Sequence, residues 1–159
     1  MSRLERSVIV AAPPERVWEV LADFGAIADW VPLIQHSCLL SGQTERPGTV
    51  RRVQIARQTL VERVVTWRPF RELAYDIEGL PPVVGPARTT WRLTPEGNGT
   101  TTRVVLSTAI DTGPNPVKVL VARKVLERMA LASDLMLTGL TNAVAPGAPT
   151  APAAQEETP

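Results

Sequence analysis

The pattern of apolar and polar positions divides the chain into a short strand and helix segment, a long β region and one long closing helix. Residues 4 to 11 (Leu-Glu-Arg-Ser-Val-Ile-Val-Ala) carry a strand pattern. Ala12-Pro13-Pro14-Glu15 then opens a helix, because proline is tolerated in a first turn and Glu15 suits the positive helix end. Val17, Trp18, Leu21 and Phe24 form its apolar stripe, and Gly25 ends it. A second short helix is expected over about 26 to 29, before proline forces Trp30-Val31-Pro32 extended.

From His36 to Asp111 the text is β. Strands are expected at 49–55, 58–67, 72–78, 87–94 and 101–110, rich in β-branched residues. Pro95-Glu96-Gly97-Asn98-Gly99 is a hairpin signal, and a proline-stiffened loop fills 79–86. Strands joined in sequence by short hairpins imply an antiparallel sheet. Gly113-Pro114-Asn115-Pro116 breaks the β pattern, with Asn115 as N-cap of a helix reaching about Asn142. Val117, Val121, Val125, Met129, Ala132, Met136 and Leu140 recur along it at spacings of three and four.

The fold class is therefore α+β: about seven antiparallel strands wrapped around one long C-terminal helix, with two short helices after the first strand. One helix cannot touch a curved sheet along its whole length, so a central cavity is expected between them. Residues 1–143 form the single domain, and 144–159 is an Ala/Pro-rich tail expected to be disordered.

Composition narrows the function. Seventeen Lys and Arg against sixteen Asp and Glu leave a net charge of +1, which argues against a nucleic-acid partner. No apolar run is long enough to be a transmembrane segment. The start lacks a signal-peptide apolar region, and the lone Cys38 cannot form an internal disulfide, which suits a cytoplasmic protein. One His and one Cys cannot build a zinc site of the usual kind, and no nucleophile elbow or dinucleotide loop is present. Neither a metal nor a cofactor is expected.

Strand parity locates the unusual side chains. On 49–55, Val53 and Ile55 take the core side, and Arg51 shares their parity as a charge aimed inward. On the next strand Leu60, Glu62, Val64 and Thr66 share one face, and Val61, Arg63, Val65 and Trp67 the other; spacing alone does not choose. Tyr75 and Ile77 share a face of the following strand. His36, the sole histidine, is the natural proton carrier if there is catalysis, or else an ordinary edge residue. The basic residues Lys118, Arg123, Lys124 and Arg128 read as a solvated helix face.

The segments Ala12-Pro13-Pro14-Glu15-Arg16-Val17-Trp18, Trp30-Val31-Pro32, Gly48-Thr49-Val50-Arg51, Glu62-Arg63 and Tyr75-Asp76-Ile77, with the long closing helix, resemble one known superfamily. It is the START-like (SRPBCC, Bet v 1-like) superfamily, in its polyketide cyclase/dehydrase and lipid-transport branch. The resemblance spans about residues 3 to 143 and implies a helix-grip fold. Members bind lipids, plant hormones or polyketide intermediates, and some are enzymes; fold alone does not choose among them. Likeness to the plant abscisic-acid receptors implies that the Glu62 face points inward, within reach of Arg51, and that Thr89 and Trp91 do so too. For the last strand the two signals conflict. Apolar count puts Val104, Leu106 and Ile110 inward, whereas the resemblance implies Val105, Ser107 and Ala109.

The expected ligand-lining set is Trp30, Leu33, Arg51, Val53, Ile55, Glu62, Val64, Tyr75, Ile77, Thr89, Trp91, Ser107, Val125 and Met129. The bland alternatives are a structural Arg51–Glu62 salt bridge and aromatic rings that merely fill core. The expected function is binding, or carrying, a hydrophobic small molecule such as a polyketide-like aromatic or a lipid, by a monomer or homodimer. The alternatives are a polyketide aromatase/cyclase or dehydratase, with Arg51, Glu62, Tyr75 and His36 as candidate catalytic groups, and a protein-interaction module.

Overall fold

In the computed structural model, which describes residues 1–145, seven strands form one antiparallel sheet. They are β1 (Ser2–Val10), β2 (His36–Leu39), β3 (Val50–Ile55), β4 (Gln58–Arg68), β5 (Glu72–Glu78), β6 (Ala87–Glu96) and β7 (Thr101–Ile110). Their spatial order is β1-β7-β6-β5-β4-β3-β2, so the first strand lies beside the last. Helix α1 (Pro14–Ala22) and a 3-10 segment (Phe24–Asp29) link β1 to β2, and helix α2 (Pro116–Val144) follows β7. The 3-10 segment begins at Phe24, two residues before the expected short helix.

Asn115 caps α2 as its type predicts: its side chain accepts from the Val117 amide at 2.9 Å, with Pro116 following. The helix continues past Asn142 to Val144, whose side chain is buried, so the expected tail begins later than 144. From residue 146 onward the tail expectation lies outside the described residues.

The register settles the last strand. Trp91 opposes Leu106, Leu93 opposes Val104 and Ala87 opposes Ile110. All six are buried. The apolar count is therefore right, and the inward assignment of Val105, Ser107 and Ala109 is corrected. Ser107 is shielded, yet it lies between Thr90 and Glu5 on the other face. The reason is the two-residue period: a one-position offset moves every side chain across the sheet.

A bulge also alters β4. Val64 opposes Tyr75 but Thr66 opposes Ala74, leaving Val65 unpaired. Parity flips there, so Trp67 joins the inner side and meets Trp18 edge-on at 5.2 Å. Strict alternation had placed Trp67 opposite Glu62.

The buried face of α2 is Ala122, Leu126, Ser133, Leu137, Leu140 and Val144. Val121, Val125, Met129 and Met136 lie at its margin, half-buried against the core, and Val117 is exposed. The expected stripe is thus rotated by about one residue. Small residues explain the choice: a Cβ on Gly139 would overlap the Trp30 carbonyl oxygen, so α2 passes the Trp30 segment closely there.

Candidate functional site

Arg51 stands on β3 directly opposite Glu62 on β4, and both are buried on the inner face. Its Nε donates to Glu62 Oε2 at 2.5 Å, and its Nη1 donates to the Phe24 carbonyl at 2.9 Å. Its Nη2 is buried with no hydrogen-bond partner. The guanidinium carbon lies 3.8 Å from the centroid of the Phe24 ring and 4.8 Å from that of Tyr75. Such stacking and charge-assisted bonding offset part of the cost of desolvating the pair. The unpartnered Nη2 is not offset, and an unmade hydrogen bond on a buried cation is expensive.

Tyr75 opposes Val64 on one side and Thr89 on the other. Its hydroxyl accepts from Trp91 Nε1 at 3.3 Å. Burial pushes its pKa well above the ordinary phenol value, and the Glu62 charge adds to the rise while Arg51 offsets part of it. Tyr75 is therefore held neutral, a hydrogen-bond donor rather than a base. Phe24 packs edge-on to Tyr75 at 5.6 Å, and Trp30 packs edge-on to Trp91 at 6.0 Å. The result is an aromatic row, Phe24–Tyr75–Trp91–Trp30. A second orphan donor, the buried Nε1 of Trp30, stands at its far end.

Around this row Val53, Val64 and Ile77 are buried, and the Thr89 and Thr108 hydroxyls share a buried hydrogen bond at 3.1 Å. Leu33 and Ile55 are half-buried against the same core, as are Val125 and Met129 across from it on α2. His36 is not part of the group. It pairs with Gln54 on the outer face of β3 and is exposed.

A groove of about 450 Å³ between α1 and the β2–β3 connection meets this cluster at Phe24, and none of the expected ligand-lining residues borders it. Trp18, Ala22, Phe24 and Leu39 give it apolar walls, while Glu19, Asp23 and Glu45 supply carboxylates. Phe24 thus faces the groove and also covers the Arg51 guanidinium. The sequence pattern marks Phe24 only as the end of a helical stripe. Its position just past the end of α1 at Ala22, beside Gly25, is the signal that could have singled it out.

The sequence profile of the family described as polyketide cyclase/dehydrase and lipid transport matches residues 1–144. The chain belongs to this family. No curated protein matches the sequence. Among solved structures, the polyketide cyclase/dehydrase fold of this chain is similar to the Zhui aromatase/cyclase of Streptomyces sp. R1128. That match has a TM-score of 0.74 at 26% identity over 90% of this chain and 93% of that one. A Thermobifida fusca protein aligns with a TM-score of 0.69 at 28% identity, covering 91% of each chain. The di-domain ARO/CYC BexL of the BE-7585A biosynthetic pathway aligns with a TM-score of 0.72 at 19% identity. It is matched over 91% of this chain and 46% of that one, and at that identity it shows the fold alone. Family membership and these neighbours support a fold that binds hydrophobic ligands.

Proposed function

We propose that the chain binds a flat, apolar, carbonyl-bearing molecule of the polyketide-like aromatic or lipid type, with its carbonyl oxygen on Arg51 Nη2. The observation that carries this reading is that buried, unpartnered Nη2, on a guanidinium that lies over the Tyr75 ring. A ligand carbonyl placed there would gain a charge-assisted hydrogen bond, about 1.5–3 kcal/mol. Glu62 already balances the Arg51 charge. A ligand carboxylate would therefore bury an excess negative charge, so a neutral acceptor fits better. The groove gives the approach, and the Phe24 ring is what a ligand must displace to reach Nη2.

A second reading, cyclisation or dehydration of a polyketone, is favoured by the similarity to the Zhui aromatase/cyclase over nearly the whole of both chains. In it Arg51 polarises a carbonyl, Tyr75 donates a hydrogen bond to the developing oxyanion and Glu62 holds the guanidinium in place. His36 has no part in it. Native mass spectrometry of the freshly purified protein tests the binding reading: a co-purifying neutral carbonyl compound supports it, and a co-purifying fatty acid contradicts it.

A further inference from the structure

The helix α2 is apolar on two sides. Its inner side meets the core, but Val117, Leu120, Leu131 and Leu135 on the other side are 63%, 61%, 67% and 39% exposed. At 100° per residue these four fall within about 60° of the helix circumference, opposite the buried Leu126 and Leu137. Scattered surface aliphatic residues need no explanation, whereas four on one face of one helix do.

Lys124 and Arg128 lie in the middle of the same face, and both are exposed. Neither forms an ion pair among the described residues. The nearby acids lie to one side, and Asp134 is engaged by Arg6 of β1 at 3.4 Å. On that side the face adjoins a groove of about 460 Å³ between β1 and α2, lined by Arg3, Leu4, Arg6, Arg123 and the carboxylate Glu127 among others. Arg3 is taken by Glu5, whereas Arg123 also has no ion-pair partner among the described residues.

We propose that this outer face of α2 docks on an anionic lipid surface, with Leu120, Leu131 and Leu135 entering the headgroup boundary and Arg123, Lys124 and Arg128 meeting lipid phosphates. Aliphatic side chains interleaved with cations are the chemistry of an interfacial helix. A second copy of the chain fits the face less well. Two such helices packed antiparallel about a twofold would set Val117 against Leu135 and Leu120 against Leu131, but also Lys124 against Arg128, twice. Packed parallel, each cation would meet its own copy. The charges that oppose self-association favour an anionic plane. This surface is separate from the Arg51 site.

The test is flotation of the full chain with vesicles of phosphatidylcholine alone and of phosphatidylcholine mixed with phosphatidylglycerol. Binding is expected to the anionic vesicles only and to fall as salt is raised, since screening shortens the reach of these charges. Each basic residue at such a surface contributes about fivefold in affinity, so Lys124→Glu with Arg128→Glu should weaken binding about twentyfold or more. Leu120→Ser with Leu131→Ser should weaken it comparably, both pairs leaving the melting temperature nearly unchanged because the side chains are exposed. Failure of the wild type to float, equal binding to neutral vesicles, or undiminished binding by both variants would overturn the proposal. So would a wild-type dimer that is lost in the Leu120→Ser/Leu131→Ser variant.

Discussion

The guanidinium of Arg51 lies 3.8 Å from the ring centroid of Phe24 and also donates to the Phe24 carbonyl oxygen, so one residue closes the site by its ring and anchors it by its backbone. Those two roles can be separated. Phe24→Leu keeps the carbonyl and shortens the cover. The expected result is a loss of about 1–2 kcal/mol in urea denaturation, within the usual range for a buried substitution. Stopped-flow mixing with an apolar ketone should show a faster association rate, because less must move to expose Nη2. An unchanged rate would show that the ligand does not pass Phe24.

The Arg51–Glu62 pair should be strongly coupled. Arg51→Met or Glu62→Gln alone leaves the other group buried and unpaired, at a cost of about 3–5 kcal/mol for removing one partner. The double variant should lose clearly less than the sum of the single losses. Chemical denaturation of all four proteins measures this, and additive losses would mean the pair does not act as a unit.

How much of this was legible without coordinates follows from parity. Arg51 was identifiable as an inward charge because Val53 lies two positions away on the same face. The face of β4 was not, since Leu60 and Val64 on one side are matched by Val61 and Val65 on the other. The resemblance implied the Glu62 face, and the pairing of Arg51 with Glu62 agrees with it. The bulge at Val65 was hidden for a related reason: no glycine marks it, so nothing announced that Trp67 would turn inward. For α2, apolar residues on two sides allow more than one stripe, and the close approach at Gly139, a contact distant in sequence, picks the real one. His36 takes the edge-residue alternative by a single position, since its neighbour Ser37 opposes Val53 on the inner side.

Gly139 itself provides a packing test. Gly139→Ala would force a methyl against the Trp30 carbonyl, and overpacking of this kind costs about 1–3 kcal/mol. Nothing lies within 4 Å of a Cβ placed on Gly42, so Gly42→Ala should leave the melting temperature unchanged or slightly raised. Equal behaviour of the two variants in calorimetry would contradict the close helix approach.

Tyr75 is the sole tyrosine, so its ionisation can be followed directly by tyrosinate absorbance. Its folded-state pKa is raised, chiefly by burial. The neutral phenol therefore stabilises the fold fully below about pH 10, the ordinary value, and that contribution is lost as the pH rises from there towards the folded value. Tyrosinate should appear only with alkaline unfolding, and Tyr75→Phe should flatten the fall in stability above that pH. Titration near the ordinary value in the folded protein would mean that Tyr75 is solvated.

His36→Asn should leave ligand affinity and any turnover unchanged, since the imidazole is exposed on the outer face of β3. A loss of turnover without a change in binding would place His36 in the chemistry after all.

The most direct measurement compares an aromatic ketone with its carboxylate analogue and with the parent hydrocarbon, titrated against wild type and Arg51→Met by tryptophan fluorescence. Trp91 bonds the Tyr75 hydroxyl and packs on Trp30, so the pair reports on the proposed site. The ketone should bind the wild type most tightly, with a micromolar dissociation constant, about −8 kcal/mol. Arg51→Met should weaken the ketone by roughly tenfold to a hundredfold, the equivalent of one hydrogen bond to a charged donor, and leave the hydrocarbon within about threefold. Tighter binding of the carboxylate, or ketone affinity indifferent to Arg51→Met, would contradict the assignment of Nη2 as the ligand's anchor.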